Sequence, residues 1–136
     1  MGLDNGIILK LASKKVPEDF PESKAWWIDS DEDVAKDGEM HVAYWRKCWG
    51  IRGDILGILH AGQEGGSYPV EAEDLPAIRK ALTKYLRPDY WEDNADSIWE
   101  FEEMIEPMLG ILLNLKWLEG YLKKHPEDSA FFYDSY

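Results

Sequence analysis

Ile98, Phe101, Ile105, Met108, Leu112, Leu115, Leu118 and Leu122 recur at a helical period towards the end of the chain. This spacing predicts one long helix from about Ser97 to Lys124, whose apolar stripe has to be buried against the rest of the fold. Pro107 lies inside it. A proline there lacks the N–H that the helix ladder needs and crowds the preceding turn, so a kink or a division into two helices is expected. His125-Pro126 marks the end. The helix also carries apolar residues away from the stripe: Trp99 and Trp117 fall on one line of an ideal helix, with Leu109 and Leu113 beside them. A helix apolar on two sides is buried on two sides. Trp99, Leu113 and Trp117 are therefore the candidate self-association surface, covered either by the chain's own sheet or second helix, or by a partner copy in a twofold dimer.

The other elements are shorter. Leu3 to Leu11, with Ile7-Ile8-Leu9, reads as a first strand, and Ala25-Trp26-Trp27-Ile28 as a second. Asp29 to Glu39 reads as an acidic loop. Tyr44, Cys48, Ile51, Ile55 and Leu59 share one side of a helical wheel, predicting a first helix over Tyr44–His60 with Trp45 and Cys48 on its core face. Gly50, Gly53 and Gly57 gather on its other side, as an irregular stretch or as a smooth face that admits a ligand or another backbone. Ser67 to Val70 reads as an edge segment. Leu75, Ile78, Leu82, Tyr85 and Leu86 form a second helix, started by Glu73, Asp74 and Pro76 and stopped by Arg87-Pro88. Ala130-Phe131-Phe132-Tyr133 reads as a last strand whose removal uncovers core. The expected architecture is α+β: one domain over residues 1–136, with a small mixed sheet that includes both terminal strands, covered by three main helices.

Composition bounds the function. The chain of 136 residues carries 27 acidic against 15 basic side chains, a formal net charge of -12. This disfavours nonspecific nucleic-acid binding, which depends on cations neutralising phosphates. One cysteine, Cys48, requires no oxidising compartment, and no apolar run is long enough to span a bilayer, so a cytoplasmic protein without membrane contact is expected. Within this acid excess, Ala43-Tyr44-Trp45-Arg46-Lys47-Cys48-Trp49-Gly50-Ile51-Arg52 is a cationic, aromatic island.

Met1-Gly2-Leu3-Asp4 running into a strand, Val42-Ala43-Tyr44-Trp45-Arg46-Lys47 opening a helix, the short extended segment from Tyr68 to Leu75 leading to a helix, and a long helix followed by the aromatic end Phe131-Phe132-Tyr133-Asp134-Ser135-Tyr136 together resemble a family of small uncharacterised proteins encoded by bacteriophages and bacteria. The pieces span nearly the whole chain, and the Tyr-Trp-Arg-Lys element is the specific one. Where that family has a His-Asn-Trp-like group after this element, the present chain has Arg52-Gly53-Asp54, so no role for that imidazole carries over. The resemblance implies an accessory protein of mobile-element origin and no particular reaction.

Known catalytic and metal patterns fail on inspection. Asp29-Ser30-Asp31-Glu32-Asp33 begins like a calcium loop, but Val34 and Met40 stand where the turn glycine and the bidentate glutamate belong. His41, His60 and His125 form no zinc spacing. The Gly62–Ser67 cluster lacks the lysine of a phosphate loop. Glu100, Glu102, Glu103 and Glu106 suit the positive end of a helix without chemistry. No cofactor or metal is expected.

What remains is a candidate ligand or partner site at Arg46, Lys47, Trp49, Arg52 and His41, since arginine and aromatic side chains dominate interface hot spots. Arg46 leads, as a guanidinium that can stack and bind a carboxylate bidentately. Arg46 and Lys47 have Asp29, Asp31 and Glu39 as possible internal partners. The favoured function is a non-enzymatic adaptor or inhibitor that binds an unknown host or phage protein. The alternatives are an enzyme with a polar cleft around Arg46, Arg52 and His41, and an acidic nucleic-acid mimic using the segments near Asp29–Asp37 and Asp89–Glu106.

Overall fold

The computed structural model describes residues 4–21, 29–46, 48–62, 64–87 and 98–135, with side chains in the last helix from residue 107 onward. Strands β1 (Asp4–Lys10), β2 (Glu39–Arg46), β3 (Gly66–Val70) and β4 (Ser129–Ser135) form one sheet in the order β2-β1-β4-β3. Both terminal segments are in the sheet, as expected, and they occupy its centre. Every pairing is antiparallel, so the sheet is not mixed. Helices α1 (Asp31–Asp37), α2 (Trp49–Ile58), α3 (Leu75–Leu82) and α4 (Ile98–Lys124) complete the α+β fold, with 3-10 turns at Ala72–Asp74 and Thr83–Leu86 flanking α3. The strand expected at Ala25–Ile28 lies outside the described residues.

Alternation along the strands decides which face meets the helices. Ile7 and Leu9 of β1, Phe132 and Ala130 of β4, Met40 and Trp45 of β2 and Val70 of β3 are buried in one contiguous core with Ile51 and Ile55 of α2, Leu75, Ile78 and Leu82 of α3, and Met108, Ile111, Leu115 and Leu118 of α4. From Met108 onward the helical period read from the sequence thus marks the buried side of α4. The helix runs through Pro107 without dividing. Pro69 is tolerated in β3 because that strand is an edge, where a missing donor need not interrupt a ladder.

Two expectations are corrected. The acidic stretch after Asp29 is helix α1, not a loop. Ser30 Oγ accepts from the Asp33 N–H at 3.2 Å, and the Asp33 carboxylate accepts from the Ser30 N–H at 3.4 Å, a reciprocal cap. Asp31, Glu32 and Asp33 all lie in the first turn, where negative charge is favoured, and Val34 anchors the helix in the core. Gly38 ends it with φ of 75°. A side chain there would be strained, and its Cβ would lie 2.5 Å from the Leu11 carbonyl oxygen.

The second correction concerns Tyr44-Trp45-Arg46. These residues end strand β2; they do not open a helix, and α2 begins only at Trp49. The helical stripe is genuine over Ile51 and Ile55, whereas Val42, Tyr44 and Trp45 before it are β-branched or aromatic and favour a pleated surface. Trp45 is still a core residue, as expected, though it reaches the core from the sheet.

β2 also carries a bulge. Ile7 pairs with Ala43 while Ile8 pairs with His41, leaving Val42 as an extra residue. Its carbonyl accepts a 3.0 Å hydrogen bond from Asn114 Nδ2, a fully buried amide on α4. Residues three apart on a regular strand point to opposite faces; the bulge turns both His41 and Tyr44 to the outer face of the sheet.

Because β4 is hydrogen-bonded on both sides, ending the chain at Asp128 would leave β3 without a partner and open the centre of the sheet. The expected outcome is loss of cooperative thermal unfolding and of the near-ultraviolet circular dichroism signal. A truncated chain with the parent's melting midpoint would contradict it.

Candidate functional site

The sequence-predicted site residues separate onto different parts of the fold. His41 lies on the outer face of the sheet, in a lattice of polar and aromatic groups. Asp29 Oδ2 accepts from the His41 backbone N–H at 2.7 Å and sits 3.0 Å from the ring Nδ1, which places the proton on that nitrogen. The other ring nitrogen faces Tyr133 Oη at 3.5 Å, and Tyr44 Oη donates to Asp4 Oδ1 at 2.5 Å. Gly6 makes room for this arrangement: a Cβ there would lie 2.6 Å from the Tyr133 ring and 2.8 Å from the Ala43 carbonyl oxygen.

The electrostatics of this lattice favour keeping protons where they are. Burial pushes Tyr133 well above the ordinary phenol range, aided by the nearby Tyr44, Asp4 and Asp29. Tyr44 is raised by burial and by its bond to Asp4, against a smaller lowering by Arg46. Burial by itself raises Asp29, but the hydrogen bonds from the His41 ring and backbone, with the charge of that ring, outweigh it and leave the carboxyl below its ordinary value. Neither phenol is activated as a nucleophile, and the imidazole is held on both nitrogens. The lattice is built to be stable.

Arg52 is on the opposite, helix-covered side. Its Nε donates to Asp134 Oδ1 at 2.7 Å, with the two side chains only 8% and 0% exposed. Asn5 Nδ2 donates to the same oxygen at 2.8 Å, which joins β1, β4 and α2 in one buried polar cluster. The Arg52 guanidinium also lies 5.4 Å from the Trp49 ring centre, while Trp49 itself is 57% exposed. The buried ion pair is made by Arg52, whereas Arg46 is exposed at the end of β2. Lys47 lies outside the described residues. Cys48 precedes α2 instead of riding on its apolar face, and burial raises its thiol more than the contact with the Arg46 carbonyl lowers it. Gly53 and Gly57 face open space.

The partners that complete these clusters were not singled out from the sequence. Asp134 is one of many acidic residues, Asn5 stands in the turn-prone Asp4-Asn5-Gly6 at the start of the first strand, and Asn114 sits unmarked within an apolar helix. The available signal was weak: a lone Asn on the core stripe of α4 needs a buried hydrogen-bonding partner.

The outer side of α4 is the third region. Leu109 and Leu113 are 49% and 61% exposed. Trp117, four residues on, is half-buried, with the Phe20 ring edge-on at 5.0 Å and the Tyr121 ring at 4.9 Å. Tyr121 in turn stacks on His125 at 4.2 Å. Leu109, Leu113, Trp117, Tyr121 and His125 thus follow one i, i+4 ridge, and its last part lines a groove of about 410 Å³ with Lys116, Lys124 and Asp19 on its sides. Of the expected self-association residues, Leu113 is exposed, Trp117 is partly covered by the chain's own Phe20, and the Trp99 side chain lies outside the described residues.

Among the described residues, no three His, Cys, Asp or Glu side chains are grouped to hold a metal ion, and no helix is long and apolar enough to cross a membrane. Residues 89–97 of the proposed mimic surface, and the side chains of residues 98–106, lie outside the described residues. No family model, curated protein or solved structure shows significant similarity to the chain.

Two variants test these assignments. Arg52→Met leaves the Asp134 charge buried without an opposite charge, with only the Asn5 amide on it, and should cost about 3–5 kcal/mol, whereas Arg46→Lys should leave the melting midpoint unchanged. Equal midpoints for the two would refute the assignment. Asp29→Asn tests the lattice by pH. Since the folded carboxyl titrates below its unfolded value of 3.8, its stabilisation is complete above that pH and is lost as the pH falls through the folded value. The variant should be less stable than the parent at pH 7 and converge with it in acid; a difference independent of pH would count against the pairing.

Proposed function

We propose that this chain is a non-enzymatic, cytoplasmic interaction protein, an adaptor or inhibitor of phage or prophage type, that binds a host or phage protein through the outer side of α4. The observation that carries this reading is the ridge running from Leu109 and Leu113 to Trp117 and Tyr121. Rows of residues four apart are the ridges that pack into the grooves of a neighbouring helix, and here the two most exposed members are leucines. Exposed leucines at this spacing, continuous with a ring-lined groove, are what a helix-in-groove contact requires. The enzyme reading loses its cleft: Arg52 is buried against Asp134, while His41 is held on the other face of the sheet.

The test compares the parent with a Leu109→Glu, Leu113→Glu double variant whose melting midpoint matches it. Each is immobilised and exposed to lysate of a bacterial host, with and without phage infection. The expected outcome is a protein retained by the parent and lost from the variant. Light scattering over a range of concentrations identifies a second copy as the occupant if the parent alone self-associates. Equal retention by both proteins, or none by either, together with a monomeric parent, sinks the reading.

A further inference from the structure

A second groove, sharing no residue with the α4 ridge, runs between the end of α2 and α3 with its 3-10 extension. It measures about 670 Å³. Ile58, Ala77 and Ala81 give it an apolar floor, and Lys80, Lys84 and Arg87 line it; no carboxylate lines it among the described residues. In a chain with 27 acidic and 15 basic residues, three cations around one groove run against the average.

The neighbouring cations show what this protein does with positive charge elsewhere. Arg79, one residue before Lys80, donates to Glu119 Oε1, and Lys84 is 2.7 Å from Asp54 Oδ2. Lys80 and Arg87 have no carboxylate within ion-pair distance among the described residues, and both are exposed. Cations in the last turn of a helix offset its negative end, and that role accounts for Lys80 near the end of α3. It does not account for Arg87, which follows the 3-10 turn in an extended conformation.

We propose that this groove docks a short acidic, amphipathic segment of another protein, with its carboxylates on Lys80 and Arg87 and its aliphatic side chains on Ile58, Ala77 and Ala81. The apolar floor favours a peptide over a nucleic acid, whose charged sugar-phosphate backbone carries no aliphatic side chains to bury. The net charge of -12 also opposes the approach of a long polyanion, whereas a segment with two or three carboxylates feels mainly the local cations at physiological salt.

The test is a selection from a displayed library of random peptides of about 16 residues, roughly four helical turns, on the intact protein. Enriched sequences should carry carboxylates with aliphatic residues three or four positions away. A synthetic peptide of that sequence should perturb the methyl resonances of Ile58, Ala77 and Ala81. Lys80→Glu with Arg87→Glu, two exposed changes expected to leave the fold intact by circular dichroism, should weaken it about tenfold or more. Leu113→Glu should leave its affinity unchanged, which separates this site from the α4 ridge. Enriched peptides without an acidic excess, equal binding to the double variant, or displacement by a single-stranded DNA oligonucleotide that binds more tightly than the peptide would each overturn the proposal.

Discussion

The antiparallel pairing of β1 with β4 is the constraint on which the rest of the molecule depends. These strands lie more than a hundred residues apart in the chain, yet pair without a break from Asp4 with Ser135 to Lys10 with Ser129. β2 can attach only to the far side of β1, and β3 only to the far side of β4. The buried polar cluster reinforces this centre. Asn5 and Asp134 face each other across the pair, and Arg52 brings α2 onto the same oxygen. A buried ion pair contributes little net stability over a well-packed apolar substitute, but it penalises any arrangement that leaves a member unpaired. Here that penalty falls on a slipped register between the two terminal strands, because a shift by one residue would turn Asn5 or Asp134 to the other face.

Where local rules dominate, the sequence was readable. The α4 stripe, the start of α3 and the terminal strands follow from period and capping alone, because each buries a continuous face. It misled where two local signals competed. At Tyr44 to Arg46 a helical spacing coincided with strand-forming side chains, and burial against β1 decided the outcome in favour of the strand. At Asp31 to Asp37 the acid content suggested solvent exposure, although Ser30, Asp33 and Gly38 spelled out both ends of a helix. Capping is the more specific signal, since it names which donors are satisfied and composition does not.

The site residues were harder to read because their roles depend on faces and partners. Arg46 and Arg52 look equivalent in a cationic stretch. The strand end exposes the first, while the first turns of α2 carry the second into the core. His41 and Tyr44 share a face only because of the bulge at Val42, and no period reveals a bulge whose carbonyl is held by an asparagine seventy-two residues away. The cationic groove escaped notice for a related reason: Lys80, Lys84 and Arg87 sit within an ordinary helix sequence, and their meaning comes from which carboxylates reach them.

The central strand pair also sets the molecule's mechanical character. The pairing of Asp4 with Ser135 puts the start of β1 and the end of β4 at the same end of the central pair. Tension applied between Asp4 and Ser135 would load those hydrogen bonds one at a time, opening the pair like a zipper instead of shearing the whole row at once. A sheet whose central pair is loaded from one end can thus hold a continuous core and still open bond by bond under tension.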